Sequence, residues 1–187
     1  MNKRLRIGIA ASVLAGAGTV MAQTLEPAQS EIVFTFRQMG VPVEGRFTKF
    51  SGQVNFDPRK PEAGKVALRI DTGSARFGSA EIDVEAAKSD WLHVTKFPQA
   101  SLDSAAIKAA GPGRYELAGQ LSIKGMARDV QIPVTLVKSG AMTVATGVFT
   151  VKRLEFKIGE GAWSDTSMVA NEVQVKFKLS LSGMAAL

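Results

Sequence analysis

One histidine and no cysteine stand among the 187 residues, and this alone removes most catalytic chemistry. Without cysteine there is no thiolate nucleophile, no cysteine-held zinc or iron–sulfur cluster and no disulfide framework. His93 could serve as a general base, oriented by Asp90 or Asp103, with a serine as nucleophile. No serine sits in the G-x-S-x-G turn that exposes such a nucleophile, so His93 reads as a surface or hydrogen-bonded imidazole and no catalytic residue is expected. Glu160, Asp165 and Glu172 offer hard oxygen donors of the kind Ca²⁺ or Mg²⁺ prefers. They lack the D-x-D-x-D-G spacing, and no metal site is expected. Gly159-Glu160-Gly161 has neither the lysine nor the following helix pattern of a phosphate cradle. What remains is apolar and aromatic: Phe34, Phe36, Phe47, Phe56, Trp91, Trp163 and Phe177 either fill a core or line a cavity for an apolar guest.

The elements that position these residues are strands. Apolar residues recur with period two from Ser30 onward. Ile32, Phe34 and Phe36 share one face; Val66, Leu68 and Ile70 repeat the pattern against Lys65, Arg69 and Asp71. Tyr115, Leu117, Leu121 and Ile123 follow, then Val130, Ile132, Val134 and Leu136. The last run is the cleanest, with Val173, Val175, Phe177, Leu179 and Leu181 set against Glu172, Gln174, Lys176, Lys178 and Ser180. One dry and one wet face per strand marks antiparallel sheet. Further strands are predicted over 43–57, 99–107 and 141–151, the first with bends at Gly45 and Gly52. Turns fall at Asp57-Pro58, Gly111-Pro112-Gly113, Lys124-Gly125 and Ser139-Gly140. Strands at this spacing form a sandwich or a closed barrel of about eight strands, and alternation does not separate the two. One segment departs from period two. Over 79–94, Val84, Lys88, Trp91 and Leu92 have helical spacing behind Ser79 as a cap, which predicts a helix covering one barrel end with Trp91 and Leu92 as its plug.

The first 22 residues are expected to be a cleaved export signal: a basic start to Arg6, about 14 apolar or small residues, then Val20-Met21-Ala22 before Gln23. The apolar run is shorter than the ~20 residues a membrane span requires. Residues 23–187 then form one domain. Loss of Lys3, Arg4 and Arg6 lowers the formal net charge from +6 to +3. The remaining cations are scattered, without a basic stripe interleaved with aromatics, so no nucleic-acid partner is expected.

Seven phrases, in order, resemble the YceI family of exported, lipocalin-like proteins. They are Gln38-Met-Gly-Val-Pro-Val-Glu-Gly-Arg-Phe47, Phe56-Asp-Pro58, Ile70-Asp-x-x-Ser74, Asp90-Trp-Leu with Lys96-Phe-Pro98, and Gly119-Gln-Leu-Ser-Ile-Lys-Gly125. Arg153-Leu-Glu-Phe-x-Ile-Gly159 and Val169-x-Asn-Glu-Val173 complete the set, which spans about Ser30 to Ser182. The resemblance implies an all-β fold, an eight-stranded antiparallel barrel with a short helix near one end. It also implies a periplasmic location and an interior that holds a long polyisoprenoid or quinone-like lipid, with no covalent cofactor. Some relatives are linked to cytochrome b561-type membrane proteins, so an accessory role beside a b-type cytochrome is the alternative function; a barrel filled by its own side chains is another, and a homodimer stays open. The chain departs from the common family pattern over 82–89, which lacks the R-D-x-H-L-R-S stretch, and at Gln38, where relatives often carry histidine. Together, alternation and resemblance place the guest's tail against Phe34, Phe36, Phe47, Leu68, Trp91, Phe156, Trp163 and Phe177. Its polar end is expected near Gln38 and Arg46, with Asp90 and Lys124 as further mouth candidates.

Overall fold

Residues 23–184 are described by the computed structural model; the expected signal segment, 1–22, lies outside them. Eleven β-segments and one helix follow in chain order. They are β1 (Gln23–Leu25), β2 (Glu31–Gln38), β3 (Val41–Phe47), β4 (Phe50–Asn55), β5 (Lys65–Asp71), β6 (Ala75–Arg76), α1 (Ala80–Ala86), β7 (Gln99–Gly111), β8 (Arg114–Ile123), β9 (Met126–Ser139), β10 (Met142–Lys152) and β11 (Glu172–Ser182). Every pairing is antiparallel, and β1 pairs with both β4 and β11, which closes the sheet. β1 and β2 lie end to end along β11, opposite its residues 181–182 and 174–178. β3 and β4 are likewise two halves of one course, and so are β5 and the two-residue β6, which pair with β4 and β3 in turn. Each such pair counted as one strand, the molecule is a closed eight-stranded antiparallel barrel with one short helix.

Closure removes the free edges an open sheet would expose. It depends on the interruption between β1 and β2, a 3₁₀ turn at Pro27–Gln29 that hydroxyl groups stitch to β11. Ser30 Oγ donates to the Glu26 carbonyl at 2.7 Å and accepts from the Ser180 N–H at 2.9 Å, while Ser180 Oγ donates to the Gln29 carbonyl at 2.8 Å. Pro133 limits another ladder. β9 and β10 pair only between Thr135–Thr146 and Ser139–Met142, because a residue without an N–H cannot extend the ladder.

The 43–57 stretch breaks at Thr48 and Lys49 rather than at the expected glycines. There the backbone turns out of the ladder to meet the segment after β5: the Thr48 N–H donates to the Ser74 carbonyl at 3.2 Å and the Lys49 N–H to Ser74 Oγ at 3.0 Å. Gly45 and Gly52 instead make room for neighbours. A β-carbon at Gly52 would stand 2.5 Å from Leu68 Cδ2.

The helix is also shorter than 79–94. Only Ala80–Ala86 is α-helical, and Ser79 makes no side-chain cap; Asp83 Oδ1 accepts from the Phe77 N–H at 2.7 Å instead. Residues 87–97 continue in turns, with His93 in the left-handed region at φ 49°. The reason lies outside the segment. The Asp90 carbonyl accepts from the N–H groups of Gly159 (2.7 Å) and Glu160 (3.0 Å), which takes it out of any helical ladder and ties the turn to the β10–β11 connection.

The two barrel ends are built differently. One carries the short turns after β7 and β9, and Phe56 and Tyr115 meet there edge to face with ring centroids 5.0 Å apart. The other carries the β2–β3 hairpin, α1 with its following turns, and the long β10–β11 connection. The core between them is apolar on the inward face of every strand, including Ile32, Leu102, Leu117, Ile132 and Leu179.

Candidate functional site

A cavity of about 490 Å³ occupies the barrel interior, within the size range of small-molecule sites. Its wall comes from inward-facing strand positions and from the elements over the α1 end. Phe34, Phe36, Phe47, Leu68 and Phe177 line it from the strands. Trp91 and Trp163 line it from the turns after α1 and the β10–β11 connection. Gln38 contributes the end of β2. These eight side chains are brought together. Phe34 lies 5.0 Å from Phe47 and 5.3 Å from Phe77 between ring centroids, and Phe36 extends the cluster to Phe77 at 6.4 Å.

The two other candidates stand elsewhere. Phe156 is only 2% exposed, yet it belongs to the packed core and not to the cavity wall. It sits on the 3₁₀ turn Arg153–Phe156, where the chain has left the strand whose alternation would have set its direction. Arg46 points outward. It is flanked in β3 by the inward Gly45 and Phe47, so the pleat sends it to solvent, beside an outer groove shared with Lys178 and Glu31. Lys124 and Asp90 are not in the wall either. Lys124 Nζ is buried against the Lys157 carbonyl at 2.5 Å and Glu160 Oε2 at 2.9 Å, and Asp90 faces the β10–β11 connection through its carbonyl.

Sequence reasoning missed Phe77, the α1 residues Glu81, Ile82 and Glu85, and Arg153. Ile82 lines the cavity and is also 42% exposed, so the cavity reaches the surface beside α1. Its small periodic signal within the helical stretch could have found it; isolated Phe77 had none. Arg153 is the principal charge of the site. It is 1% exposed and its guanidinium is held entirely by carbonyls: Ala170 at 3.0 Å, Ile158 at 2.8 Å, Gly159 at 3.0 Å, Trp163 at 2.7 Å and Val169 at 2.7 Å. Burial lowers its pKa from the usual guanidinium value, and the five carbonyl dipoles keep the charged form in place. The same side chain lies 5.9 Å from the Trp91 ring centre, and Trp91 packs on Trp163 at 5.4 Å. Arg153 therefore fastens the β10–β11 connection over the barrel end.

The geometry assembles no triad at His93. Its ring meets Phe97 edge-on at 5.7 Å, while Asp103 is taken by Arg69 at 2.7 Å. The acidic residues of the β10–β11 connection are engaged separately, Glu160 with Lys124 and Asp165 with Ser167 at 2.7 Å. Among the described residues no three His, Asp or Glu side chains converge as a metal site would require.

Comparison with known proteins fits this architecture. The model of the YceI-like domain matches residues 23–181. A UPF0312 protein of Azotobacter vinelandii is 31% identical over 145 residues, 75% of this chain and 76% of its own. The crystal structure of BcnA from Burkholderia cenocepacia superposes with a TM-score of 0.81 at 42% identity, covering 83% of this chain and 98% of that one. A polyisoprenoid binding domain from Saccharophagus degradans, implicated in plant cell wall breakdown, shares the fold at 17% identity, with a TM-score of 0.68 over 86% of this chain and 97% of its own.

Proposed function

The chain belongs to the family of YceI-like domains, and from that membership and its apolar cavity we propose that it binds and carries a long amphipathic lipid, polyisoprenoid or quinone-like, inside the barrel. The observation that carries this is the cavity wall: strand side chains line it with apolar groups, and polar ones gather at the α1 end, where it meets solvent. A guest with a greasy tail and one polar end has the matching polarity. Each methylene taken from water into such a wall contributes about 0.8 kcal/mol. Ordering a flexible tail offsets part of that, so micromolar or tighter affinity is expected. The polyisoprenoid binding domain of Saccharophagus degradans, which shares the fold, supports the same class of guest. The basic and apolar opening of the chain supports export to the periplasm, where a carrier would meet membrane lipids.

Native mass spectrometry of the mature protein purified from periplasm, with organic extraction, tests this. A stoichiometric isoprenoid or quinone mass is the expected result. A protein that carries no lipid and takes up no added polyprenyl compound would overturn it.

A further inference from the structure

Two buried side-chain polar atoms have no hydrogen-bond partner among the described residues, Trp91 Nε1 and Thr143 Oγ1, and only Trp91 belongs to the cavity wall. A donor withdrawn from water and left unpaired is unfavourable in a fold that satisfies its other buried groups, and native structures keep few such atoms. The ring is held along the edge remote from Nε1, about which it can tilt. Its Cζ3 edge, across the indole from Nε1, faces Gly159 so closely that a β-carbon there would stand 3.3 Å away. Trp163 packs on it, and the Arg153 guanidinium lies beside it at 5.9 Å. A neighbouring cation draws electron density from the indole and makes its N–H a better donor.

The charged residues around the cavity decide which acceptor fits. Glu81, Glu85 and Arg153 are the charged members of the wall. Every N–H direction of Arg153 is already taken by a backbone carbonyl, so it supplies potential but no bond. Lys124 is committed to Glu160 and the Lys157 carbonyl. A phosphate entering here would meet two carboxylates and no free cationic donor, and desolvating it would go uncompensated. A neutral carbonyl oxygen needs only one donor.

We propose that Trp91 is the donor for the guest's head: its Nε1–H hydrogen-bonds a neutral carbonyl oxygen of the amphipathic lipid, and the site selects such heads over phosphates. This deepens, and rests on, the lipid-binding function above. The N–H is shielded from water, so the bond forms in a dry setting once the indole tilts toward the guest.

Three probes with the same tail separate the contributions: farnesylacetone, a neutral ketone; the hydrocarbon of the same skeleton; and farnesyl phosphate. Calorimetric titration compares the unaltered protein with Trp91→Phe, which keeps an aromatic ring and removes the donor. The expected result is about three- to tenfold weaker ketone binding in the variant, hydrocarbon binding changed by less than about twofold, and phosphate the weakest of the three in the unaltered protein. An equal loss for ketone and hydrocarbon would overturn the donor role, and tighter phosphate than ketone binding would overturn the selection. ¹H–¹⁵N spectra of the unaltered protein give a check that does not depend on the variant folding. The Trp91 indole proton, assigned with Trp163→Phe, should move downfield with the ketone and stay in place with the hydrocarbon; no difference would overturn the bond. If the hydrocarbon binds without any ketone-specific effect, the Trp91 assignment alone fails. If none of the three binds, the lipid-binding function fails with it.

Discussion

The Phe34 ring occupies the space where Gly45 would carry a side chain: a β-carbon at Gly45 would lie 2.5 Å from Phe34 Cζ and 2.6 Å from Cε2. The two residues are directly paired across β2 and β3. Gly147 stands in the same relation to Phe177, at 2.5 Å from its Cζ. Two aromatic side chains of the cavity wall thus lie flat over glycines on the neighbouring strand, which keeps them against the wall.

Gly45→Ala should push Phe34 off its seat and disturb its packing with Phe47 and Phe77. Overpacking of this kind costs about 1–3 kcal/mol. Thermal unfolding should show a midpoint lowered by several degrees, and pairing the change with Phe34→Leu should recover much of the loss. Equal midpoints for Gly45→Ala and the unaltered protein would contradict the close approach.

Arg153→Lys keeps a positive charge but cannot reach five carbonyls from one ammonium. The abandoned acceptors lie in a closed space, and stability should fall by about 2–4 kcal/mol. Urea unfolding followed by circular dichroism measures this. A loss below about 0.5 kcal/mol would show that the β10–β11 connection is held by other means.

Charge placed in the cavity wall should abolish the guest without unfolding the barrel. Phe36→Asp and Phe177→Asp, both on half-buried positions, should each weaken added polyprenyl lipid at least about tenfold, because the tail would have to desolvate a carboxylate. Arg46→Ala is the matched control, since that side chain faces solvent. Its affinity should stay within about twofold of the unaltered protein. A folded Phe36→Asp protein with full affinity would place the lipid elsewhere.

Asp165 gives a pH prediction. Hydrogen bonds from the Ser167 hydroxyl and N–H, with a further one from Met168, hold its pKa below the ordinary 3.8. A depressed folded-state pKa contributes stability that is present above the unfolded value and is lost as pH falls through the folded one. The turn at 165–168, which receives the Met39 N–H on the Met168 carbonyl at 2.8 Å, should therefore persist to pH values below 3.8 and then loosen. A ¹³C titration of the Asp165 carboxyl with a midpoint at or above 3.8 would contradict it.

How far the sequence could be read follows from where each residue's direction is decided. Phe34, Leu68 and Phe177 lie on strands with one wet and one dry face, so alternation alone turned them inward. Arg46 follows the same rule once Phe47 is fixed as an inward residue, because neighbours on a strand point to opposite faces. Phe156 and Phe77 lie outside the long strands, where no period sets their direction. The break at Thr48 and the early end of α1 depend on partners distant in sequence, Ser74 for the one and Gly159 and Glu160 for the other. The role of Arg153 needed five carbonyls from the connection that follows it, and a single arginine in a strand-end phrase does not announce them.

The stitching of Ser30 and Gln29 to Ser180 also has a kinetic side. These contacts join residues 150 and 151 positions apart, whereas the other strands form a meander of neighbours that can pair as the chain lengthens. The seam cannot zip until β11 is in place, and it bears the largest loop-closure entropy in the molecule. Until then β1, β2 and β10 present the backbone that β11 will pair, which makes the chain with β11 undocked its most adhesive form.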